Sequence, residues 1–167
     1  MPVIRTATMD DDAAIARIHV LSWQTAYAGI MPADFLARLS VDEKTAWWGR
    51  YLAGNPAGLL VATLAEVVAG FISFGPSRDA DGAGKSEVYA LHVAPERWTG
   101  GLGRHLIAGT EAALPPGADL TLWVLEQNQR ARGFYRAVGF TPDGTDKQIV
   151  VGGVSLREIR LAKKIGA

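Results

Sequence analysis

Three glycines lie close together where a predicted strand gives way to a predicted helix: Gly100, Gly101 and Gly103. The backbone of such a segment can approach a ligand closely, because glycine has no Cβ. Free N–H groups at the start of a helix, with the positive end of the helix dipole behind them, bind phosphate oxygens. The spacing therefore predicts an anion site at this turn, to which the guanidinium of Arg104 could add a cation.

Two other interpretations of this turn stay open. The glycines could only relieve steric crowding in a tight connection. The turn could also be a Rossmann dinucleotide site, because Glu126 follows the next predicted strand, where an acid that binds the ribose would lie. Against that second alternative, the third glycine of G-x-G-x-x-G would fall at Leu106, and the turn comes after four predicted strands.

An aromatic stripe follows the first predicted helix. His19, Trp23 and Tyr27 recur every four residues and so lie on one helix face. The stripe could belong to the core or could line a pocket, and an aromatic pocket wall suits a cationic amine through cation–π contact. Trp47 and Trp48 are adjacent on a later helix, so we do not expect both to face one site.

Hydrophobic periodicity and turn residues predict the elements that position these side chains. Strands are predicted at 3–7, 59–64, 67–74, 87–93, 120–125, 147–151 and 154–161. Helices are predicted from a cap at Asp10 or Asp11 to about Tyr27, and at 33–39, 42–52, 101–114 and 128–138. This order favours an α/β (α+β) chain: a mixed, mostly antiparallel, twisted sheet of about seven strands, helices on both faces, and one parallel βαβ step from Glu87 to Leu125.

Composition limits the class of protein. With 167 residues and 49% hydrophobic content, the chain is expected to form one domain, 1–167. Its 17 basic and 17 acidic residues balance, so no global field favours nucleic acid or an anionic membrane as a partner. The chain has no cysteine, which excludes an acyl-cysteine intermediate, and with three histidines we expect no catalytic metal. No signal-peptide-like or membrane-spanning run is evident, so we expect a cytoplasmic protein.

These segments resemble the GNAT superfamily of N-acetyltransferases, whose pyrophosphate-binding turn reads roughly P-x-x-Q/R/W-x-x-G-x-G-x-x-L. The positions that match in register are Pro95, Trp98, Gly101, Gly103 and Leu106. Residues 91–93 stand where the family has its L-x-V strand end, and 128–140 is similar to the family's N-x-x-A-x-x-F-Y-x-x-x-G-F segment. Trp98 replaces the more usual Gln or Arg, which leaves the polar side-chain contact of the family open at that position.

The resemblance implies acetyl-CoA as the acetyl donor. The residues it implies as donor-binding are Leu91, His92, Val93, Trp98, Thr99, Gly100, Gly101, Leu102, Gly103, Arg104, Asn128 and Tyr135. In the family the strand end at 91–93 splays from its neighbour and pairs with the pantetheine arm, so the Val93 N–H would donate to the thioester oxygen. Asn128 would bind the pantetheine region, although by position it is also an ordinary helix N-cap.

The resemblance also implies which residues move protons. Tyr135 corresponds to the family tyrosine that protonates the departing thiolate, although it also falls on an apolar helical stripe and could be core. Glu87 lies six residues before Val93, the spacing at which several members place a glutamate general base. A surface strand glutamate is the alternative for Glu87, and His92 and His19 are rival bases.

The sequence thus predicts an enzyme that transfers an acetyl group from acetyl-CoA to a small-molecule primary amine by direct attack in a ternary complex. Trp23 and Tyr27 are the candidate acceptor-binding residues, and a homodimer is the expected assembly. Residues 22–32 are similar to a stretch of polyamine-type acetyltransferases. The alternatives are a protein or peptide N-acetyltransferase and a non-catalytic acyl-CoA-binding or regulatory domain.

Overall fold

The computed structural model describes residues 1–166, in which a seven-stranded sheet is flanked by helices. The strands are β1 (Val3–Thr6), β2 (Leu59–Leu64), β3 (Val67–Pro76), β4 (Ser86–Val93), β5 (Asp119–Leu125), β6 (Thr141–Val151) and β7 (Val154–Lys164). The α-helices are α1 (Asp12–Ala26), α2 (Ala33–Ala37), α3 (Val41–Ala53), α4 (Leu102–Ala113) and α5 (Gln129–Ala137). None of these described helices is long and apolar enough to cross a bilayer.

The strand order is β1-β2-β3-β4-β5-β7-β6. Within residues 1–166, β4 and β5 form a parallel pair joined through α4, and the other neighbouring strands are antiparallel. The predicted mixed sheet with one parallel βαβ step is therefore confirmed. The Rossmann alternative is wrong, because that fold needs a mostly parallel sheet.

Helices cover both faces of the sheet, as predicted. Alternate strand residues point to opposite faces, and in β2 Val61 packs with the α1 and α3 side while Ala62 packs with the α4 side. Phe71 and Ile72 of β3 divide in the same way, and both are fully buried. Each fully buried apolar side chain of this size stabilises the fold by about 1.5–3 kcal/mol, so both layers contribute to stability.

Several predicted boundaries differ from the structure, and two of these differences have a clear physical reason. β6 begins at Thr141 instead of 147. The prediction missed this part of the strand because the first eight residues are exposed and include Pro142 and Gly144, so they lack a strand-like apolar pattern. Helix α4 begins at Leu102, because Gly101 has a φ of 77° and is the N-cap.

Candidate active site

A cavity of about 830 Å³ lies where β4 and β5 separate. The strands pair at three positions, ending with Val88 opposite Leu122. Beyond that point β4 continues to pair with β3 on its other edge, as far as Val93 opposite Gly70. The edge of 89–93 that faces β5 is thus unpaired within residues 1–166, which is the splayed strand end that the family resemblance implies.

Most of the predicted donor-binding residues lie in the wall of this cavity. They are Leu91, His92, Val93, Trp98, Thr99, Gly101, Gly103, Arg104, Asn128 and Tyr135. Gly100 and Leu102 lie outside the wall, and the Leu102 side chain is buried in the core. The structure therefore brings the separate motif segments together around one space.

Two glycines of the turn are needed for different reasons. Gly101 has a φ of 77°, a left-handed backbone conformation that L side chains rarely adopt. Gly103 lies in the first turn of α4, where an added Cβ would sit 2.8 Å from the ring of Phe134. The first glycine shapes the turn, and the second allows α4 to pack closely against α5.

Backbone amides of the turn are available to a ligand. The N–H groups of Gly101, Leu102 and Gly103 donate to no backbone atom of residues 1–166. They open a helix of 12 residues, so its dipole adds to the attraction for an anion. The Gly100 N–H differs, because it donates to the Arg97 carbonyl oxygen at 3.0 Å. The geometry of a phosphate site is thus present at the start of α4.

Trp98 connects the turn to the strand end. Its indole N–H donates to the Val93 carbonyl oxygen at 2.8 Å, and the Arg130 guanidinium stacks on its ring at 3.3 Å. Arg130 was not predicted, since the sequence shows a cation at the start of α5 but not its partner. Arg104 also lines the cavity, with Nη1 at 3.5 Å from the Ala137 carbonyl oxygen. Two cations thus flank the amides of the turn.

Asn128 and Tyr135 bring α5 to the cavity. Asn128 accepts a hydrogen bond from the Ala131 N–H at 3.1 Å, which confirms that it is the N-cap of α5, and it also lines the cavity.

Tyr135 packs edge-on against Phe134 and Phe140. The Tyr135 hydroxyl has no hydrogen-bond partner within residues 1–166. Since every fully buried polar side-chain atom of these residues has a partner, this hydroxyl is not fully buried. That hydroxyl therefore reaches the cavity, and burial raises the pKa of Tyr135, so the phenol is protonated at neutral pH.

His19 and His92 form a parallel stacked pair, with ring centroids 5.5 Å apart and an interplanar angle of 10°. The indole N–H of Trp48 donates to His19 Nδ1 at 3.1 Å, and that of Trp23 donates to His92 Nε2 at 3.2 Å. An indole nitrogen can only donate. Each of these imidazole nitrogens is therefore unprotonated, and each neutral ring carries its proton on the other nitrogen.

This geometry argues against either histidine as the general base. Burial lowers the pKa of His19 to about 4 and that of His92 to about 3. Each ring has one nitrogen occupied as an acceptor and the other occupied by a proton, so neither can take a proton while the indole bonds persist. Both histidines are therefore packed side chains whose acceptor nitrogens are already hydrogen-bonded.

Glu87 is buried beneath Arg78. Its side chain is 2% exposed. Its Oε2 accepts from the Arg78 backbone N–H at 2.9 Å, and its Oε1 accepts from Arg78 Nη2 at 2.8 Å. The surface-glutamate alternative is wrong, and Glu87 is not part of the cavity wall. The ion pair with Arg78 separates the Glu87 oxygens from the cavity, which weakens the case for Glu87 as the general base. That role stays a prediction.

A buried arginine holds the loop that carries Arg78. Arg160 of β7 is 4% exposed and forms ion pairs with Asp79, Asp81 and Asp143. Two of these aspartates belong to the connection between β3 and β4, so Arg160 ties that loop to the sheet. Hydrogen bonds to Arg160 also lower the pKa of Asp81 to about 2, so the carboxylate stays ionised at neutral pH.

Aromatic rings form the other end of the cavity. They are Trp23, Tyr27, Trp47, Trp48, Tyr51, Tyr89 and Trp123. The stripe of α1 therefore lines a pocket. The expectation that adjacent tryptophans cannot share a site is wrong for Trp47 and Trp48, because their rings meet at 88° with centroids 4.8 Å apart and both reach the cavity.

Glu158 was missed by the sequence analysis and is the one carboxylate of the cavity wall within residues 1–166. Its ion-pair partner, Lys147 Nζ, lies 3.7 Å from Oε2. Alternation along β7 places buried Ile159 and Leu161 on the face opposite Glu158. That pattern was visible in the sequence, but it does not show which cavity the second face meets. No group of three or more His, Cys, Asp or Glu side chains in the same described range could hold a metal ion.

Comparisons with known proteins agree with this geometry. The family model described as Acetyltransferase (GNAT) family matches residues 15–140. The chain is 36% identical over 166 residues to the uncharacterized N-acetyltransferase YuaI of Bacillus subtilis (strain 168), covering 96% of this chain and 92% of that protein. It is 32% identical over 142 residues to the L-amino acid N-acyltransferase MnaT of Escherichia coli (strain K12), covering 82% and 78%. The PaiA N-acetyltransferase of Thermoplasma acidophilum, solved in complex with coenzyme A, superimposes with a TM-score of 0.74 at 22% identity over 98% of this chain and 99% of that chain.

Proposed function

The chain belongs to the acetyltransferase (GNAT) family, and from this we propose that it transfers the acetyl group of acetyl-CoA to a primary amine of a small molecule by direct attack in a ternary complex. The observation that carries the proposal is a single cavity with an anion-binding turn at one end and an aromatic wall at the other. The absence of cysteine supports direct transfer, since no thiol is available for an acyl-cysteine intermediate.

At the donor end, the pyrophosphate lies on the N–H groups of Gly101, Leu102 and Gly103, and the pantetheine arm pairs with the free edge of 89–93. The Val93 N–H then donates to the thioester oxygen as negative charge develops there. Tyr135 supplies the proton for the departing thiolate, because its hydroxyl reaches the cavity without a hydrogen-bond partner among residues 1–166. A positioned acid of this kind accelerates transfer by roughly 10² to 10⁴.

At the acceptor end, aromatic faces attract a cationic amine, with about 0.5–2 kcal/mol for each good cation–π contact. Trp23 and Tyr27 belong to this wall and are the acceptor-binding residues that we propose. One relative carries the name of an L-amino acid N-acyltransferase, and an amino acid is itself a small primary amine. This supports a small acceptor over a protein terminus.

Thiol release from acetyl-CoA, measured with a panel of amines, tests this function. The panel contains polyamines, amino acids, aminoglycosides and peptide N-termini. We expect one class of small primary amine to accelerate thiol release and to appear as the N-acetyl product by mass spectrometry. Acceleration by peptides alone would favour the protein acetyltransferase. Calorimetric binding of acetyl-CoA without acceleration by any amine would favour the non-catalytic acyl-CoA-binding domain.

A further inference from the structure

The cavity wall offers few groups that could take a proton from an ammonium. Besides Glu158, its titratable side chains within residues 1–166 are arginines, tyrosines and the two stacked histidines. Arginine has no acceptor. Burial raises the pKa of each wall tyrosine, so these phenols stay protonated at neutral pH. The acceptor nitrogens of the histidines are already occupied by indole N–H groups. Among the titratable side chains of this wall within residues 1–166, Glu158 is therefore the one that can take a proton at neutral pH.

The surroundings of Glu158 leave its carboxylate short of donors. It lies between Leu125 of β5 and Lys147 of β6, and its side chain is 18% exposed. Lys147 Nζ is 3.7 Å from Oε2, which is beyond hydrogen-bond distance. Fully buried polar atoms of residues 1–166 all have partners, so the unpartnered oxygens of Glu158 reach open space. An ammonium brings three N–H donors to such a carboxylate.

Several charged or titratable groups face Glu158. Burial raises the pKa of Glu158, Lys147 and Arg78 lower it, and Glu87 raises it. Tyr27 is close enough for the Glu158 charge to raise the pKa of its phenol. Because burial is the largest of the effects on Glu158, its pKa lies above that of an ordinary glutamate. The difference from the pKa of an amine is thereby smaller, which makes proton transfer less unfavourable.

Glu87 provides the contrast. Both of its oxygens accept hydrogen bonds from Arg78, and its side chain is almost fully buried outside the cavity wall. A proton acceptor for the amine must lie within hydrogen-bond reach of it, directly or through one water. Glu158 lies in the cavity wall, where an amine can approach it, whereas Glu87 would first have to exchange its guanidinium partner.

We propose that the Glu158 carboxylate binds the ammonium group of the acceptor and takes its proton, an inference that rests on the proposed acetyl transfer. One N–H bond of the ammonium breaks as an O–H bond forms on Glu158, and the freed lone pair forms the C–N bond to the thioester carbon. The C–S bond then breaks as Tyr135 gives its proton to the sulfur. The second N–H proton of the intermediate passes to the Tyr135 oxygen. The products are the amide and the CoA thiol, and Glu158 returns its proton to solvent.

A binding measurement tests this role without turnover. Phenethylamine carries an ammonium on an aromatic body, and phenethyl alcohol is its uncharged match. In calorimetry on the CoA-saturated protein we expect the amine to bind more tightly than the alcohol by roughly 10-fold or more. Glu158→Gln should remove that preference and leave CoA affinity unchanged. An undiminished preference for the amine in Glu158→Gln overturns the proposal.

Kinetics provide the second test, with the best acceptor of the amine panel. We expect Glu158→Gln to lower kcat/KM by roughly 10² or more and to abolish the limb that rises with pH, while Glu158→Asp recovers part of the rate. The profile is repeated with two acceptors of different amine pKa, since a limb that follows the acceptor belongs to the substrate. Glu87→Gln is the matched control, because it removes the other candidate carboxylate. If the rising limb that stays fixed between acceptors is lost in Glu87→Gln but kept in Glu158→Gln, the role of Glu158 is contradicted. No turnover with any amine would refute the proposed function, while the calorimetric comparison would still decide whether Glu158 binds the ammonium.

Discussion

The two ends of the cavity present different parts of the chain to the ligands that we propose for them. The donor end presents backbone groups: the amides that open α4 and the unpaired edge of 89–93. The acceptor end presents side chains, chiefly aromatic rings and Glu158, which come from α1, α3, β4, β5 and β7. Backbone groups offer the same chemistry whatever residue carries them, whereas a side-chain wall changes with each substitution. The first construction suits a donor shared across a family, and the second suits a particular amine.

Charge separates the ends in the same way. Arg104 and Arg130 lie at the donor end, where the helix dipole also favours an anion. At the acceptor end the stacked histidines are held neutral by burial, the Arg78 guanidinium is paired with the Glu87 carboxylate, and Glu158 is the one carboxylate of the wall within residues 1–166. The cavity thus favours a phosphate at one end and an ammonium at the other.

The largest expected effect comes from the hydroxyl that lies between the two ends. Tyr135→Phe should lower the single-turnover rate by roughly 10² to 10⁴, because only the proton source for the thiolate is removed. Acetyl-CoA affinity should stay unchanged. Tyr27→Phe is the matched control, since it removes another cavity hydroxyl and should change the acceptor KM more than the chemical step. A wild-type single-turnover rate in Tyr135→Phe would show that this tyrosine only packs.

The next effect isolates the donor end. Gly101→Asp places a negative charge beside the phosphates and a side chain on a backbone with a φ of 77°, so CoA should bind roughly 100-fold more weakly by calorimetry. Gly117→Asp controls for strain, because Gly117 has a φ of 80° with open space around it. The comparison between the two ends fails if both variants bind CoA like the wild type, or if both lose binding equally.

The smallest effect concerns the neutral histidines of the acceptor end. Their folded pKa values, about 4 and about 3, lie below the unfolded value of 6.5. As pH falls below the unfolded value, the unfolded chain binds protons that the folded protein cannot, so stability is lost. The free energy of unfolding should fall by up to ~1.4 kcal/mol per pH unit for each histidine. Urea unfolding between about pH 7 and pH 5.5 measures this loss.

The exposed His105 supplies the control for that titration. His105→Gln should keep the loss of stability on acidification, whereas His92→Gln should reduce it, because glutamine does not titrate in this range. A wild-type stability that is independent of pH over the same interval would show that the pair is not held neutral.

The donor end could be predicted from the sequence because its geometry is local. Gly101 and Asn128 act on the turns in which they occur, so spacing alone indicates a helix start beside a strand end. The distribution of apolar residues also placed the sheet, since β2 and β3 are rich in them. The exposed start of β6 offered no such pattern and was missed.

The acceptor end depends on register between distant segments, which spacing does not determine. Glu158 reaches the cavity because β7 pairs with β5 so that it lies opposite Leu125. Glu87 was a reasonable candidate by its distance from Val93, yet its oxygens are occupied by an arginine from the preceding loop. Neither pairing leaves a local signature in the sequence.

Initial rates over a grid of acetyl-CoA and acceptor concentrations test the central claim, that one cavity holds donor and acceptor together for direct transfer. A ternary complex predicts double-reciprocal lines that intersect, and mass spectrometry should find no acetyl group on the protein after incubation with acetyl-CoA alone. Parallel lines together with an acetylated protein would show a covalent acetyl-enzyme and would contradict the account.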